Sequence, residues 1–203
     1  MSGPSTTIAD AVGGVRGMVE TSVPGLAFVL AYIISGSDTK ISAGVAVALA
    51  VLMAIGRLIA RESPQYALSG IFGVVFAAVL ATKTGKAENF YLPGLLLNVA
   101  YAAAFLISIL VRWPLVGVIA SQLQGEHEWR THPERMRAYT GASWLWVALF
   151  LVRLAVQLPL YLAGAVAALG IARTAMGIPL FALGLWWTYR VVRKHADPEP
   201  EPV

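Results

Sequence analysis

Apolar residues in this chain are collected in long runs that short polar segments separate. The run at residues 92–111 (LPGLLLNVAYAAAFLISILV) carries no charge, and as a helix its twenty residues reach across a bilayer core of about 30 Å. Similar runs predict spans at 21–35, 41–60, 66–82, 141–162 and 166–189. The pattern therefore predicts an all-α, polytopic membrane bundle of about six transmembrane helices.

The segments between the runs define the rest of the organisation. Residues 115–123 are apolar but too short to cross, so we expect an interfacial helix between spans four and five. Residues 124–137 (QGEHEWRTHPERMR) are highly charged and predict a loop. We expect one membrane domain over 1–203, with an N-terminal lead or interfacial segment at 1–20, the bundle at 21–189, and a basic then acidic, proline-rich disordered tail at 190–203.

Composition supports the membrane class. The chain is 58% hydrophobic and 13% charged, with a mean hydropathy of +0.70, whereas ordinary soluble domains have roughly 25% charged residues. The formal charge of +4 resides in cations at the ends of apolar runs, which argues against a nucleic-acid partner. The chain has no cysteine, so disulfides, thiolate nucleophiles and Cys-ligated metals are excluded.

The placement of the basic residues predicts orientation. Two cations, Arg153 and Arg173, fall inside predicted spans, and three, Lys40, Lys83 and Lys86, fall in loops of one side. The other ten lie on the opposite side: Arg16, Arg57, Arg61, Arg112, Arg130, Arg135, Arg137, Arg190, Arg193 and Lys194. An excess of Lys and Arg marks the cytoplasmic side, so we expect a multi-pass protein of the bacterial plasma (inner) membrane with both termini in the cytoplasm. Five spans remain an alternative if the first run is interfacial.

A recurring sequence pattern suggests a 3+3 inverted repeat, in which two halves of three spans each enter the membrane in opposite directions. Pro24-Gly25-Leu26 recurs 69 residues later as Pro93-Gly94-Leu95, and Arg57-Leu58 is echoed by Arg153-Leu154. Inverted repeats of this kind build many transporters, with polar sites at the middle of the membrane. Sequences rich in Ala, Leu and Gly also match by chance, so a chance match is the alternative to a genuine repeat.

Polar residues within the predicted spans are the candidate binding residues. Arg153 and Gln157 are one helical turn apart in the fifth span and would bind an anionic group or a carbonyl. Asn98 and Tyr101 share a face of the fourth span, and Arg57 joins the site through the repeat. Arg173 interrupts the sixth span. Structural readings compete for each of them, through interhelical hydrogen bonds or snorkelling to the interface.

Aromatic residues and histidines have simpler explanations. Trp144, Trp146, Trp186, Trp187 and Tyr189 fit anchoring at the membrane interface. His127 and His132 are five residues apart, so the segment around them does not match the H-E-x-x-H zinc motif. We find no catalytic motif and expect no enzymatic activity, cofactor or metal.

The Pro-Gly openings, residues 83–93, the Arg112-Trp113-Pro114-Leu115 segment and residues 144–153 resemble an uncharacterised actinobacterial family of integral membrane proteins, over nearly the whole chain. The layout is more distantly similar to intracellular septation protein A, a bacterial inner-membrane family associated with envelope synthesis and division. Neither resemblance implies catalytic residues.

Two functions follow as hypotheses. The first is a small channel or carrier for a small solute or ion, an anion in one form of the hypothesis. The second is an envelope- or division-associated scaffold that binds a partner through residues 115–137 and has no transport activity. Besides the lipid bilayer, the expected partners are the solute, a second copy in a homodimer, or an envelope protein.

Overall fold

The computed structural model of the protein describes residues 14–60, 64–124 and 129–196. Within those ranges the chain is helical and has no β-strand. Two short 3-10 helices, Ala87–Phe90 and Trp129–Thr131, lie among seven α-helices: α1 Gly14–Ile34, α2 Thr39–Ile59, α3 Pro64–Thr84, α4 Leu92–Leu110, α5 Leu115–Gln124, α6 Pro133–Leu162 and α7 Val166–Ala196.

The connection from α1 to α2 shows how local chemistry sets a helix boundary. The chain reverses through Gly36 and Ser37, which have φ angles of 68° and 75°. Asp38 then caps α2, because its Oδ1 accepts hydrogen bonds from the amides of Lys40 at 2.8 Å and Ile41 at 3.0 Å. These bonds satisfy amides that a helix start leaves without partners.

Three helices extend beyond the apolar runs that predicted them. Helix α1 begins by Gly14, so Pro24 lies inside it and not in its first turn; residues 1–13 of the predicted lead lie outside the described residues. Helix α6 begins at Pro133, within the predicted loop, because proline suits the first helical position and Glu134 suits the positive end of the helix dipole. Helix α7 continues to Ala196, seven residues into the predicted tail, and residues 197–203 lie outside the described part.

Four of the helices are long and apolar enough to cross a membrane: Thr39–Ile59, Leu92–Leu110, Pro133–Leu162 and Val166–Lys194. The predicted first and third spans contain shorter apolar helical stretches, Ser22–Ile34 and Gly70–Thr84. The count of six spans therefore stays a prediction. Helix α5 lies where the interfacial helix was expected, and its depth also stays a prediction.

The outer surfaces of these helices are apolar. Side chains more than 70% exposed include Ile34, Ile59, Phe72, Leu110 and Leu162. Water disfavours such surfaces, whereas lipid tails solvate them and helices satisfy their own backbone groups. The helices thus have the character of an integral membrane protein.

The helices divide into two compact units. The first comprises the described residues of Met1–Gly94 with Gln157–Ile178, and the second those of Leu95–Val156 with Pro179–Val203. This division does not follow the halves of the predicted repeat, because α6 and α7 contribute to both units. The repeat and the single domain stay predictions.

Each unit has an aromatic core. In the first, the Phe28 ring stacks on Phe90 with centroids 4.0 Å apart, and Tyr91 meets both rings edge-on. In the second, Trp146 packs against Phe105 at 5.9 Å and against Phe181 at 5.2 Å. Trp146 is only 7% exposed, so its predicted role as an interface anchor is wrong: it faces the helices and not the lipid.

Candidate functional site

Arg153 is a partly buried cation of the second unit. It is half-buried on α6, and its Nε atom is buried with no hydrogen-bond partner in the part of the chain that the structure describes. Its side chain lines a small cavity whose other walls are apolar or aromatic: Trp146, Leu149, Phe150, Leu180 and Phe181.

Helical spacing and one glycine build this cavity. Trp146, Phe150 and Arg153 recur at intervals of four and three residues, so they share a face of α6. Helix α7 comes close at Gly184, where an added Cβ would lie 2.9 Å from Leu149 Cδ1 and 3.0 Å from the Trp146 ring. The close approach lets the α7 residues at 180 and 181 close the cavity wall. The cavity has room for about one water molecule.

The apolar parts of five described helices contain no carboxylate. Residues 138–162 of α6 and 166–194 of α7 contain no Asp or Glu, and the same holds for α2, α3 and α4. A charged group near the bilayer centre costs about 3 kcal/mol even on insertion scales, and proteins usually pair it. Arg153 is thus able to bind an oxyanion or a carbonyl oxygen from outside the chain.

Gln157 follows Arg153 by one helical turn but belongs to the first unit. Its side chain is 2% exposed, and its Nε2 has no hydrogen-bond partner among the residues described. A buried amide donor without a partner is unfavourable by about 1–3 kcal/mol, which makes this position unusual for a purely structural residue.

Arg173 lies in the first unit against the start of α4. Its guanidinium occupies the space next to Gly94, with Cζ 2.6 Å from where a Cβ would be, and lies 5.6 Å from the centre of the Tyr91 ring. The Tyr91 hydroxyl donates a 3.2 Å hydrogen bond to the Gly25 carbonyl. Burial raises the pKa of the Tyr91 phenol well above its usual value, and the Arg173 charge offsets part of that rise. The Arg173 guanidinium therefore lies beside a Tyr91 phenol that keeps its proton.

Asn98 and Tyr101 do not present one common surface. Asn98 is 7% exposed, whereas Tyr101 is 50% exposed and stacks on Phe150 at 5.5 Å between centroids. Because Phe150 lines the Arg153 cavity, Tyr101 belongs to the aromatic group around that cation. Arg57 is half-buried in the last turn of α2, in the first unit.

The six candidate residues are thus divided between the units. Arg153, Asn98 and Tyr101 lie in the second, and Gln157, Arg57 and Arg173 lie in the first. Sequence reasoning did not identify the polar group of Asn89, Tyr161 and Thr84, in which Tyr161 donates to Asn89 Oδ1 at 2.6 Å and Asn89 donates to Thr84 Oγ1 at 2.8 Å. In the sequence, Asn89 directly precedes two aromatic residues, and this pattern was the available indication of a buried polar contact. Among the described residues no group of His, Asp and Glu is suited to hold a metal ion, and His127 lies outside them.

A family model described as protein of unknown function (DUF3159) matches residues 12–199. No curated protein and no solved structure matches the chain. The match agrees with the expected resemblance to a family without an assigned activity; the actinobacterial origin and the likeness to septation protein A stay predictions.

Proposed function

We propose that this chain, which belongs to the DUF3159 family of proteins of unknown function, is a small membrane carrier for an anionic solute. Arg153 is the anion-binding group in this proposal. One observation carries the proposal. A half-buried cation lines an aromatic cavity, its Nε has no partner among the described residues, and its own helix offers no carboxylate from residue 138 onward.

The guanidinium geometry favours an oxyanion. An arginine presents Nε–H and Nη–H side by side, a donor pair that matches two oxygens of a carboxylate or phosphate. Apolar walls such as Leu149 and Phe181 lower the local dielectric constant, and an ion pair is stronger where that constant is low. Gln157 Nε2 is a second buried donor without a partner among the described residues, but it belongs to the first unit and stays a separate candidate.

The small cavity favours a carrier over an open channel. Space for about one water admits no solute with several heavy atoms, so the cavity must enlarge for a solute to bind. Such a change between closed and open forms is the basis of alternating access in carriers. We keep Arg57 and Arg173 of the first unit and Asn98 and Tyr101 of the second as further candidate residues.

The test is solute flux in vesicles that contain the purified protein. Chloride, nitrate, acetate, phosphate and, as a cation control, potassium are compared for wild type, Arg153→Leu and Arg153→Lys. Lys83→Leu is the matched control, because it removes the same charge from an exposed position at the end of α3.

We expect anion flux in wild type and in the Lys83 variant, loss of flux in Arg153→Leu, and partial flux in Arg153→Lys, which keeps the charge but not the paired donors. Unchanged flux in Arg153→Leu would remove Arg153 from the mechanism. Absence of flux for every solute, with folded protein, would refute the carrier proposal.

A partner-binding scaffold is the second candidate, and the surface around α5 favours it. The amide of Val116 donates to Ser143 Oγ at 3.3 Å, which fixes α5 to α6. The exposed Arg130 guanidinium lies 4.1 Å from the centre of the exposed Trp113 ring. A fixed aromatic and basic surface suits an acidic partner segment. Replacing Arg130 and Trp113 by alanine should abolish cross-linking to an envelope protein in native membranes; retention of every cross-link would count against this role.

A further inference from the structure

The C-terminal part of α7 combines aromatic and basic side chains on an exposed surface. Trp186, Trp187 and Tyr189 are each about half exposed, and the cations that follow are exposed as well: Arg190, Arg193 and Lys194. We call these six residues the basic-aromatic end of α7. The carrier site uses none of them.

Contacts within this end orient its cations. Trp186, Arg190 and Arg193 recur at intervals of four and three residues and so share one face of the helix. The Arg190 guanidinium lies 5.0 Å from the Trp186 ring centre, and Arg193 Nη1 donates to the Tyr189 hydroxyl at 3.4 Å. Val192, 6% exposed, packs in the core of the second unit. Thus one side of the helix is anchored and the arginines point outward.

The depth of these residues follows from one hydrogen bond. Trp146 Nε1 donates to Thr188 Oγ1 at 3.0 Å, so the two side chains lie at the same level of the second unit. Trp146 is sixteen residues before the end of α6 at Leu162, or about 24 Å along the helix. Arg190 to Lys194 lie two to six residues beyond Thr188, about 3–9 Å further out, at the edge of a hydrocarbon layer of about 30 Å.

The described residues at this end carry a net positive charge. Helix α7 contains no Asp or Glu, and on the nearby start of α6 Glu134 accompanies two arginines, Arg135 and Arg137. Aromatic rings just below headgroup level, next to outward-facing cations, are typical of membrane-interface surfaces that attract anionic lipids.

We propose that the basic-aromatic end of α7 binds the phosphate headgroups of anionic phospholipids in the leaflet that it meets. The arginines donate paired hydrogen bonds to phosphate oxygens, and the two tryptophans pack beside the upper acyl chains. The proposal is independent of the carrier activity, because it uses a different surface and needs no movement of α6 or α7.

Energy transfer from tryptophan to a dansyl-labelled lipid tests this directly. The full-length protein is placed in vesicles of four parts phosphatidylcholine to one part phosphatidylglycerol, with a trace of either dansyl-phosphatidylglycerol or dansyl-phosphatidylcholine. The variants are the triple substitution Arg190→Gln, Arg193→Gln, Lys194→Gln and a control triple, Lys40→Gln, Lys83→Gln, Lys86→Gln. The control removes the same charge at exposed positions and leaves every tryptophan in place.

We expect wild type and the control triple to prefer the anionic probe by at least about fivefold in relative association, as cations at a membrane surface do. The α7 triple should lose that preference, and Arg190→Lys with Arg193→Lys should keep part of it. Circular dichroism establishes that each variant is folded. Equal association of both probes with wild type would overturn the proposal, as would a preference retained by the α7 triple or lost equally by the control triple.

Discussion

Tyr161, in the last turn of α6, donates a 2.6 Å hydrogen bond to Asn89, 72 residues earlier in the chain. Asn89 is 8% exposed, and its Nδ2 donates a 2.8 Å hydrogen bond to Thr84 Oγ1. This pair ties the short 3-10 segment before α4 to the end of α6 within the first unit. Its polar groups satisfy one another in a partly buried position.

Tyr161→Phe should lower the free energy of unfolding by about 1–3 kcal/mol, because the buried Asn89 Oδ1 loses the phenol that donates to it. Thermal unfolding in detergent, followed by far-UV circular dichroism, measures the change. Tyr189→Phe is the control: its hydroxyl is at an exposed position, so we expect a change within about 0.5 kcal/mol. Equal effects of the two substitutions would contradict a special role for the Asn89 contact.

Two glycines of α7 should respond to alanine in opposite ways. A Cβ at Gly170 would meet Val29 and lie 2.6 Å from the Tyr91 hydroxyl, so Gly170→Ala should destabilise the protein by about 1–3 kcal/mol. A Cβ at Gly177 meets no described atom within 4 Å. Gly177→Ala should therefore be neutral or stabilise by up to about 1 kcal/mol, since alanine favours helix. The same unfolding assay tests both, and changes of equal sign and size would show that α1 does not pack on α7 as described.

Arg153→Leu should leave stability unchanged or raise it by up to about 3 kcal/mol, because it removes a half-buried cation that has no partner at Nε in the described part of the chain. Together with lost flux, this would separate a binding role from a structural one. Leu149→Ala in the same cavity is the control and should destabilise by about 2–5 kcal/mol. A clear loss of stability in Arg153→Leu would instead show that Arg153 holds the helices together.

Alkaline titration should show a protected phenol at Tyr91. Burial raises its pKa above the value of about 10 of an unfolded tyrosine, so above that pH the unfolded chain has lost a proton that the folded one keeps. Stability should therefore fall as pH rises beyond about 10, and less steeply in Tyr91→Phe. Difference absorbance of phenolate between wild type and Tyr91→Phe gives the pKa directly. Ionisation of Tyr91 near pH 10 in folded protein would contradict the expected protection.

Local patterns predicted most of the helices, because a long apolar run and its flanking charges act within one segment. The runs at 41–60, 92–111 and 141–162 each correspond to a helix long enough to cross a membrane. The observed bounds lie within a few residues of the expected ones, except that α6 begins earlier, in a polar segment. That start was missed because proline and glutamate favour the first helical turn even where hydropathy is low.

The amino-acid sequence alone thus determined that this is an apolar, helical chain with arginines and amides within its long apolar helices, since composition and periodicity are properties of each segment. Only the tertiary structure decided which side of each helix is covered. It buried Trp146 but left Trp144 half exposed, and it set Asn98 inside while Tyr101 faces outward. It also left Arg153 Nε without a partner among the described residues. Rotation of a helix about its axis depends on side-chain packing between distant segments, such as Gly184 against Leu149, and hydropathy along the chain does not encode that packing.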